Sequence, residues 1–598
     1  MTAFKSKTSA LLLFSCFWLL IVLLSGSLFS GYKFMDDSGH IFIKEQVASG
    51  NGYVKVLSDY ITADLAQRFR VLWSAEYVVR TFLMGDNFVL LSLHRAIESA
   101  FICFFLFLFA RKIRFSYWFS VLFALLVTVG QQSVIAWSLA ASEGIGTFFL
   151  ALSLLFMAKS VIDKENRQLN NALFILFTVL MSLSKESYIF FVPAVYIWKL
   201  WLYSSENKTG FWQTVKENFF TGTILAICAL CELYVLISIS TNFGYAGTDS
   251  GLKLSGYLKT FAFLLVFSLT GLVSLAGMAM IILKKQWQAK EWLYPALLFA
   301  AIVLPQAVIY TKSGIMERYF LPGVIGFVML VSFQFRILAR DINHYRISRV
   351  MMLAVSLVSA VLCVGGLVLF FSEPLRISLI DMMRGFRGEV VNSMNPADAV
   401  IKRSSDNIKM IGAGVGLIGL IMLLAVTVVM YWIKAVTYQL KNVFVAMLVL
   451  ALLLNAAATY AWAAKFARSG KQTNTFLSTV ITRTQRNDAI LVVADPWVFY
   501  EASSVGITTF LKYSGHRTNL WGFPVFIDPA YNTPANRKIM IPDYYPELTD
   551  PVAKQFHCIA VFPGTEQLFL EQASWFKAAD YKREELPGGY IVYVALPG

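Results

Sequence analysis

Along most of this chain apolar residues come in stretches long enough to cross a bilayer as helix, which takes roughly 20 residues, and polar residues gather in short clusters between them. The pattern predicts spans over 10–29, 88–110, 115–134, 143–159, 170–184, 187–203, 218–240, 257–283, 292–311, 318–336, 350–371, 409–433 and 442–464, about thirteen in all. The first opens with Lys5 and Lys7 like a secretory leader. Its apolar run is longer than a leader needs, and no small-x-small cleavage site precedes a soluble region, so it is read as an uncleaved helix. Between the first two spans lies a long segment, 31–87, in which apolar residues recur at helical spacing from Tyr53 to Leu83. That spacing predicts helices lying along the membrane surface.

After residue 464 the period changes. Short apolar runs bounded by Asp, Pro and Gly appear at Asp488–Asp495, Cys558–Phe562 and Gly589–Val594, with a helix-like stretch over 476–486. Such runs read as buried strands. The expected fold class is therefore a polytopic α-helical membrane protein with a C-terminal extracytoplasmic α/β domain. The expected domains are a transmembrane module over 1–464, with 31–87 as its large first outer loop, and the α/β domain over 465–598.

Composition agrees: of 598 residues, 57% are hydrophobic and only 15% charged. The net charge of +15 would suit nucleic acid if it were concentrated, but the basic residues are scattered in small clusters between apolar runs. No nucleic-acid partner is expected; the bilayer is. With Lys5 and Lys7 inside, alternate short loops carry Arg111, Lys112 and Arg114, then Lys164 and Arg167, Lys208 and Lys216, Lys284, Lys285 and Lys290, Arg336 to Arg349, and Lys434 with Lys441. The loops between them are poor in Lys and Arg, as the positive-inside rule requires. This places the N-terminus in the cytoplasm and the α/β domain on the periplasmic or extracellular side, and the compact loops suit a bacterial inner membrane. Five of six cysteines fall in apolar runs and the five histidines have no ligand spacing, so neither a disulfide framework nor a zinc site is read.

On this map the ionic residues Asp36, Asp37, Glu143, Lys185, Glu186 and Arg318 all fall at the outer ends of spans. Each has a plain structural account. Asp36 and Asp37 could begin a solvated loop, Lys185 could snorkel with Glu186 beside it, and Arg318 with Tyr319 could anchor a helix at the interface. Glu143 could simply meet a helix dipole, and Arg68 and Arg70 could form the polar face of a surface helix. Independent anchoring would spread charges over both surfaces, whereas these gather at one.

Five short elements resemble the GT-C superfamily of polyprenyl-phosphate-sugar-dependent glycosyltransferases, the group that holds the aminoarabinose transferases, protein mannosyltransferases and oligosaccharyltransferase catalytic subunits. They are Met35-Asp36-Asp37-Ser38, Gln67-Arg68-Phe69-Arg70, Ala141-Ser142-Glu143-Gly144, Leu183-Ser184-Lys185-Glu186-Ser187 and Met316-Glu317-Arg318-Tyr319. The likeness of layout covers 1–464. The resemblance implies a polyprenyl-phosphate-linked sugar as donor and a glycan, lipid or protein as acceptor. It also implies Asp36, Asp37 and Glu143 as catalytic residues, and Arg68, Arg70, Lys185, Glu186, Arg318 and Tyr319 as substrate-binding ones. The turn before Glu143 lacks the second acid found in oligosaccharyltransferases, so no cofactor is called for outright and a divalent cation stays an option.

The residue types suit that chemistry. A departing polyprenyl phosphate is a weak base that needs cations rather than a proton, which Lys185 and Arg318, with Arg68 or Arg70, can supply. An attacking hydroxyl needs a base, which Asp36 or Asp37 can be. Acid on one side and cations on the other predict a single displacement with inversion. Two alternatives use the same broad pattern: a lipid-linked glycan transporter or flippase, and a glycan polymerase. A transporter would be expected to carry its charges at mid-depth and to show internal repeats.

Overall fold

The computed structural model describes residues 6–34, 37–66, 68–243, 269–283, 296–297, 299–300, 303, 320–340, 345–346, 349–375, 416, 437–494, 506–525 and 556–597. Helix α1 (Lys7–Leu24) starts at Ser6, whose hydroxyl accepts the Ser9 amide at 3.1 Å. The segment expected to hold surface helices contains α2 (Ser38–Ala48), α3 (Tyr53–Leu65) and α4 (Val71–Met84). Then follow α5 (Phe88–Lys112), α6 (Tyr117–Thr128), α7 (Ser142–Ile162), α8 (Arg167–Ser182), α9 (Phe191–Asn207), α10 (Phe211–Glu217) and α11 (Phe219–Phe243). Further on lie α12 (Thr270–Leu283), α13 (Phe320–Leu338), α14 (Arg349–Phe371) and α15 (Leu440–Arg483).

Among the described residues five helices are long and apolar enough to cross a membrane: α1, α5, α7, the Phe219–Ile239 part of α11, and α15. Shorter apolar helices lie within α6, α12, α13 and α14. The spans expected over 292–311 and 409–433 lie almost wholly outside the described residues. Helix α7 packs on α5, α8 and α9. Ser153 and Thr178 tie it to α8 through a hydroxyl pair 2.7 Å apart, which satisfies two polar groups that lipid could not.

The chain divides into two compact units, one of residues 1–333, 448–525 and 535–598 and one of 334–447 and 526–534. In the second, β1 (Tyr345–Arg346) pairs antiparallel with β2 (Thr437–Tyr438). In the first, a mixed sheet forms from β3 (Ile490–Ala494), β4 (Leu520–Pro524), β5 (Cys558–Val561), β6 (Tyr581–Leu586) and β7 (Tyr590–Ala595), in the order β4-β3-β5-β7-β6. Strands β4, β3 and β5 are parallel; β7 and β6 add antiparallel. The three strands expected from the sequence are β3, β5 and β7.

Period-two alternation splits the sheet's side chains between two cores. One face sends Ile490, Val492, Cys558, Ala560, Phe562 and Val592 against Phe476, Leu477 and Val480 of α15, together with Tyr32, Phe34 and Ile41. The other sends Leu491, Val493, Ile559, Val561, Ile591 and Tyr593 against Phe556 and Phe569. The span expected over 442–464 and the helix expected over 476–486 are one continuous α15. Its 44 residues extend about 66 Å, roughly twice the thickness of a bilayer's hydrocarbon. The far half of that helix is what the first face of the sheet packs on.

Candidate functional site

Three chain reversals meet at one end of the bundle: the start of α7, the turn after α8, and the segment from α1 to α4. Ala141 is extended (φ −68°, ψ 114°) and the helix begins at Ser142, which sets Glu143 in the first turn. Glu143 is buried and pairs with the ammonium of Lys185, itself largely covered. Lys185 follows α8 in extended conformation and precedes a 3-10 turn, Glu186–Tyr188. That turn is pinned to α7. The Tyr188 hydroxyl donates to the Glu143 carbonyl at 3.1 Å and lies 2.7 Å from the Thr147 hydroxyl, which in turn donates to the same carbonyl at 2.7 Å. Lys185 therefore does not point out as a snorkelling lysine would; it turns inward onto a carboxylate.

Helix α4 joins from the other side, its Leu72 amide donating to the Leu183 carbonyl at 3.0 Å. Just before it, Arg70 pairs with Asp64 and lies 4.2 Å over the Trp73 ring. Asp64 also accepts the Ser74 hydroxyl at 2.8 Å. Burial works against the Arg70 cation, but the Asp64 carboxylate, with Glu186 nearby, outweighs it and raises the pKa. Arg70 and Glu186 thus feel one another across the turn. Arg68 sits at the same reversal, half-buried, its amide donating to the Asp64 carbonyl at 2.7 Å.

Asp37 is 1% exposed at the head of α2, where one carboxylate oxygen accepts the Lys33 amide at 3.0 Å. The Lys33 ammonium, also buried, donates to the Trp137 carbonyl at 3.1 Å. Burial lowers the Lys33 pKa, and the Asp37 charge only partly offsets it. Asp37 is thus joined through Lys33 to the 137–141 segment that leads into Glu143. Asp36, Arg318 and Tyr319 lie outside the described residues. Among the described residues no three His, Cys, Asp or Glu side chains are grouped to hold a metal ion.

Several buried charges here escaped the sequence reading. Arg80 pairs with Glu76 at 3.3 Å, and Arg95 pairs with Glu98. Both arginines donate to the Leu139 carbonyl. Burial, with repulsion from Arg95 next, lowers the Arg80 pKa to about 10. His40 stacks on Tyr77 with ring centroids 4.2 Å apart, and its Nδ1 lies 2.7 Å from the Thr81 hydroxyl. The available signal was the spacing: Arg95 and Glu98 stand three apart inside a predicted span, and Glu76 and Arg80 four apart on one helical face.

No protein-family model matches the chain, and no curated protein matches it significantly. A solved structure does. The crystal structure of ArnT from Cupriavidus metallidurans in the apo state aligns with a TM-score of 0.50 over 99% of this chain and 99% of that one, at 14% identity. This chain has the ArnT fold. That fold is a helical membrane bundle with a C-terminal mixed sheet, the fold class expected from the hydrophobic pattern. At this identity the likeness speaks for the fold, while the roles of individual side chains rest on their own geometry. Chemically, that end of the ArnT-like bundle offers a carboxylate at the head of α2, a lysine oriented by a second carboxylate, and an arginine beside an aromatic ring.

Proposed function

We propose that this protein transfers a sugar from a polyprenyl-phosphate donor to an acceptor hydroxyl of a glycan, lipid or protein. The observation that carries the reading is the Glu143–Lys185 pair, lying at the same end of a GT-C-type bundle as the segment that bears Asp37. In this reading the donor's chain lies in the bilayer and its phosphate reaches the end of the helices. Glu143 fixes the head of Lys185, and Lys185 holds the phosphate of the bound donor and meets the further charge that grows on it as the glycosidic bond breaks. Arg68 or Arg70, with Arg318, adds forked donors suited to phosphate oxygens, and Glu186 and Tyr319 line the donor's head group. Asp37, or Asp36 beside it, takes the acceptor proton from the opposite face of the sugar, which inverts the anomeric centre.

The same reading sets the N-terminus in the cytoplasm and this end of the bundle on the periplasmic side of a bacterial inner membrane, with 1–464 as the transferase module and 465–598 as a domain beside the acceptor. The test is a transfer assay in membranes with a panel of lipid-phosphate sugars. Asp37→Asn, Asp36→Asn and Lys185→Ala are compared with wild type at matched expression. We expect a loss of about 100-fold or more for Lys185→Ala and for at least one of the Asp variants. Full transfer by all three would refute the assignment, and a product with retained configuration would refute the single displacement.

A further inference from the structure

The segment between α6 and α7 presents three carbonyls, those of Trp137, Leu139 and Ala141, to three buried cations. Lys33 donates to Trp137 at 3.1 Å and Arg80 to Leu139 at 2.7 Å. Arg95, which is 0% exposed, donates to Leu139 from Nη2 at 2.8 Å and from Nε at 3.3 Å, and to Ala141 from Nη2 at 3.2 Å. Its remaining Nη1 lies on Glu98. Two guanidinium groups on one carbonyl repel each other, and burying them inside a helical bundle is costly. Holding a loop in place needs no such charge; a packed apolar side chain would do it. What the arginine adds is direction: a planar fork sets two carbonyls and a carboxylate at once.

The fork acts where the site begins. Ala141 is the residue before α7, and Glu143 is in that helix's first turn. Gly144 completes the fit: a Cβ there would lie 2.9 Å from Arg95 Nη1 and 3.2 Å from Glu98 Oε1, so the guanidinium reaches its position only because residue 144 has no side chain. We propose that Arg95 is a positioning residue for the Glu143–Lys185 pair, its guanidinium fixing the Leu139 and Ala141 carbonyls and through them the first turn of α7. The inference rests on the reading of that pair as the holder of a lipid-linked phosphate.

The test uses the purified full-length protein and two variants. Arg95→Lys keeps the charge and loses the fork; Gly144→Ala keeps Arg95 and displaces it. Two quantities are read: amide hydrogen exchange across 137–146, and kcat and KM for the polyprenyl-phosphate sugar donor. We expect exchange to rise about 10-fold in both variants and donor KM to rise about 10-fold or more, because a displacement of about 1 Å in a positioned group costs up to 100-fold. A merely structural role would reduce the amount of active protein, lowering kcat and leaving KM unmoved. Unchanged exchange, or unchanged KM in a variant that folds and exchanges faster, overturns the proposal. The transferase reading fails in a different way, by a wild type that transfers no sugar from any lipid-phosphate donor, and Arg95's role in transfer then falls with it.

Discussion

A histidine with no route to water has to choose its charge state when the chain folds, and His40 has chosen to be neutral. It is fully buried, stacked on Tyr77, with Arg80 and Arg95 close by. Burial first, then repulsion from the two arginines, pushes its pKa well below the usual histidine value. In the unfolded chain the same ring takes up a proton near pH 6.5. Above that pH neither state binds the proton and His40 has no effect on stability. Below it the unfolded state gains a proton that the folded state refuses, so stability falls with falling pH until the folded pKa is reached. The melting temperature of the wild type in detergent should therefore drop more steeply from about pH 7 to about pH 5 than that of His40→Gln. Parallel curves would show that His40 is protonated or wet in the folded protein. Not all of this was legible residue by residue. Glu143, Lys185 and Glu186 stood out because charges gathered at span ends ask for partners, and Arg70 through the Arg-Phe-Arg element of the first outer loop. Lys33 did not, because its ammonium lies on a backbone carbonyl, and a carbonyl is present at every position and so marks none; Arg80 and Arg95 were marked only by the spacing to Glu76 and Glu98, which shows the ion pairs but not the Leu139 carbonyl that both arginines share.

Elements were legible where burial writes a period into the sequence. Strands β3, β5 and β7 are apolar runs because the sheet covers them, while β4, Leu-Trp-Gly-Phe-Pro, and β6, Tyr-Lys-Arg-Glu-Glu-Leu, are edge strands. An edge tolerates Gly, Pro and charge, which erase the alternation that would reveal it. The continuity of α15 was hidden for a related reason: Lys465, Arg468 and Lys471 mark where apolar helix ends, but not where helix ends. Past that point the helix acquires a specific task. Asn474 donates to the carbonyls of Ser30 and Tyr32 at 2.9 Å each and accepts the Tyr32 amide at 3.3 Å, gripping the chain as it leaves α1. Gly31 makes the grip fit. It has φ +70°, and a Cβ there would come within 2.6 Å of the Asn474 amide nitrogen. Asn474→Ala removes three hydrogen bonds at about 1 kcal/mol each and should lower stability by about 3 kcal/mol. Faster amide exchange at 30–37 should accompany it. A loss of stability with exchange there unchanged would mean that Asn474 serves α15 alone.

On the scale of the whole molecule, the question is whether the sheet is a separate body or part of what holds Asp37. The two cores give opposite answers for the two faces. The face toward α15 includes Tyr32, Phe34 and Ile41, residues on either side of Asp37, and the Tyr32 hydroxyl donates to the Gly506 carbonyl at 2.7 Å. Phe562 sits at the centre of that face, its ring 5.4 Å from Phe34, 5.5 Å from Phe476 and 5.6 Å from Tyr590. Among the described residues, none from 32–41 belongs to the opposite face, around Phe569. Phe562→Ala and Phe569→Ala each empty a fully buried site and should each destabilise by about 3 to 5 kcal/mol. Their local effects should differ. If the sheet is the wall against which the Asp37 segment is set, Phe562→Ala speeds amide exchange over 32–41 and lowers the proposed sugar transfer at temperatures where the protein is still folded. Phe569→Ala, at equal loss of stability, leaves both nearer to wild type. Equal exchange over 32–41 in the two variants would mean that the segment responds to the sheet's stability as a whole and not to the face it touches. The comparison works because the variants share chemistry and burial and differ only in which side of one sheet has lost a ring.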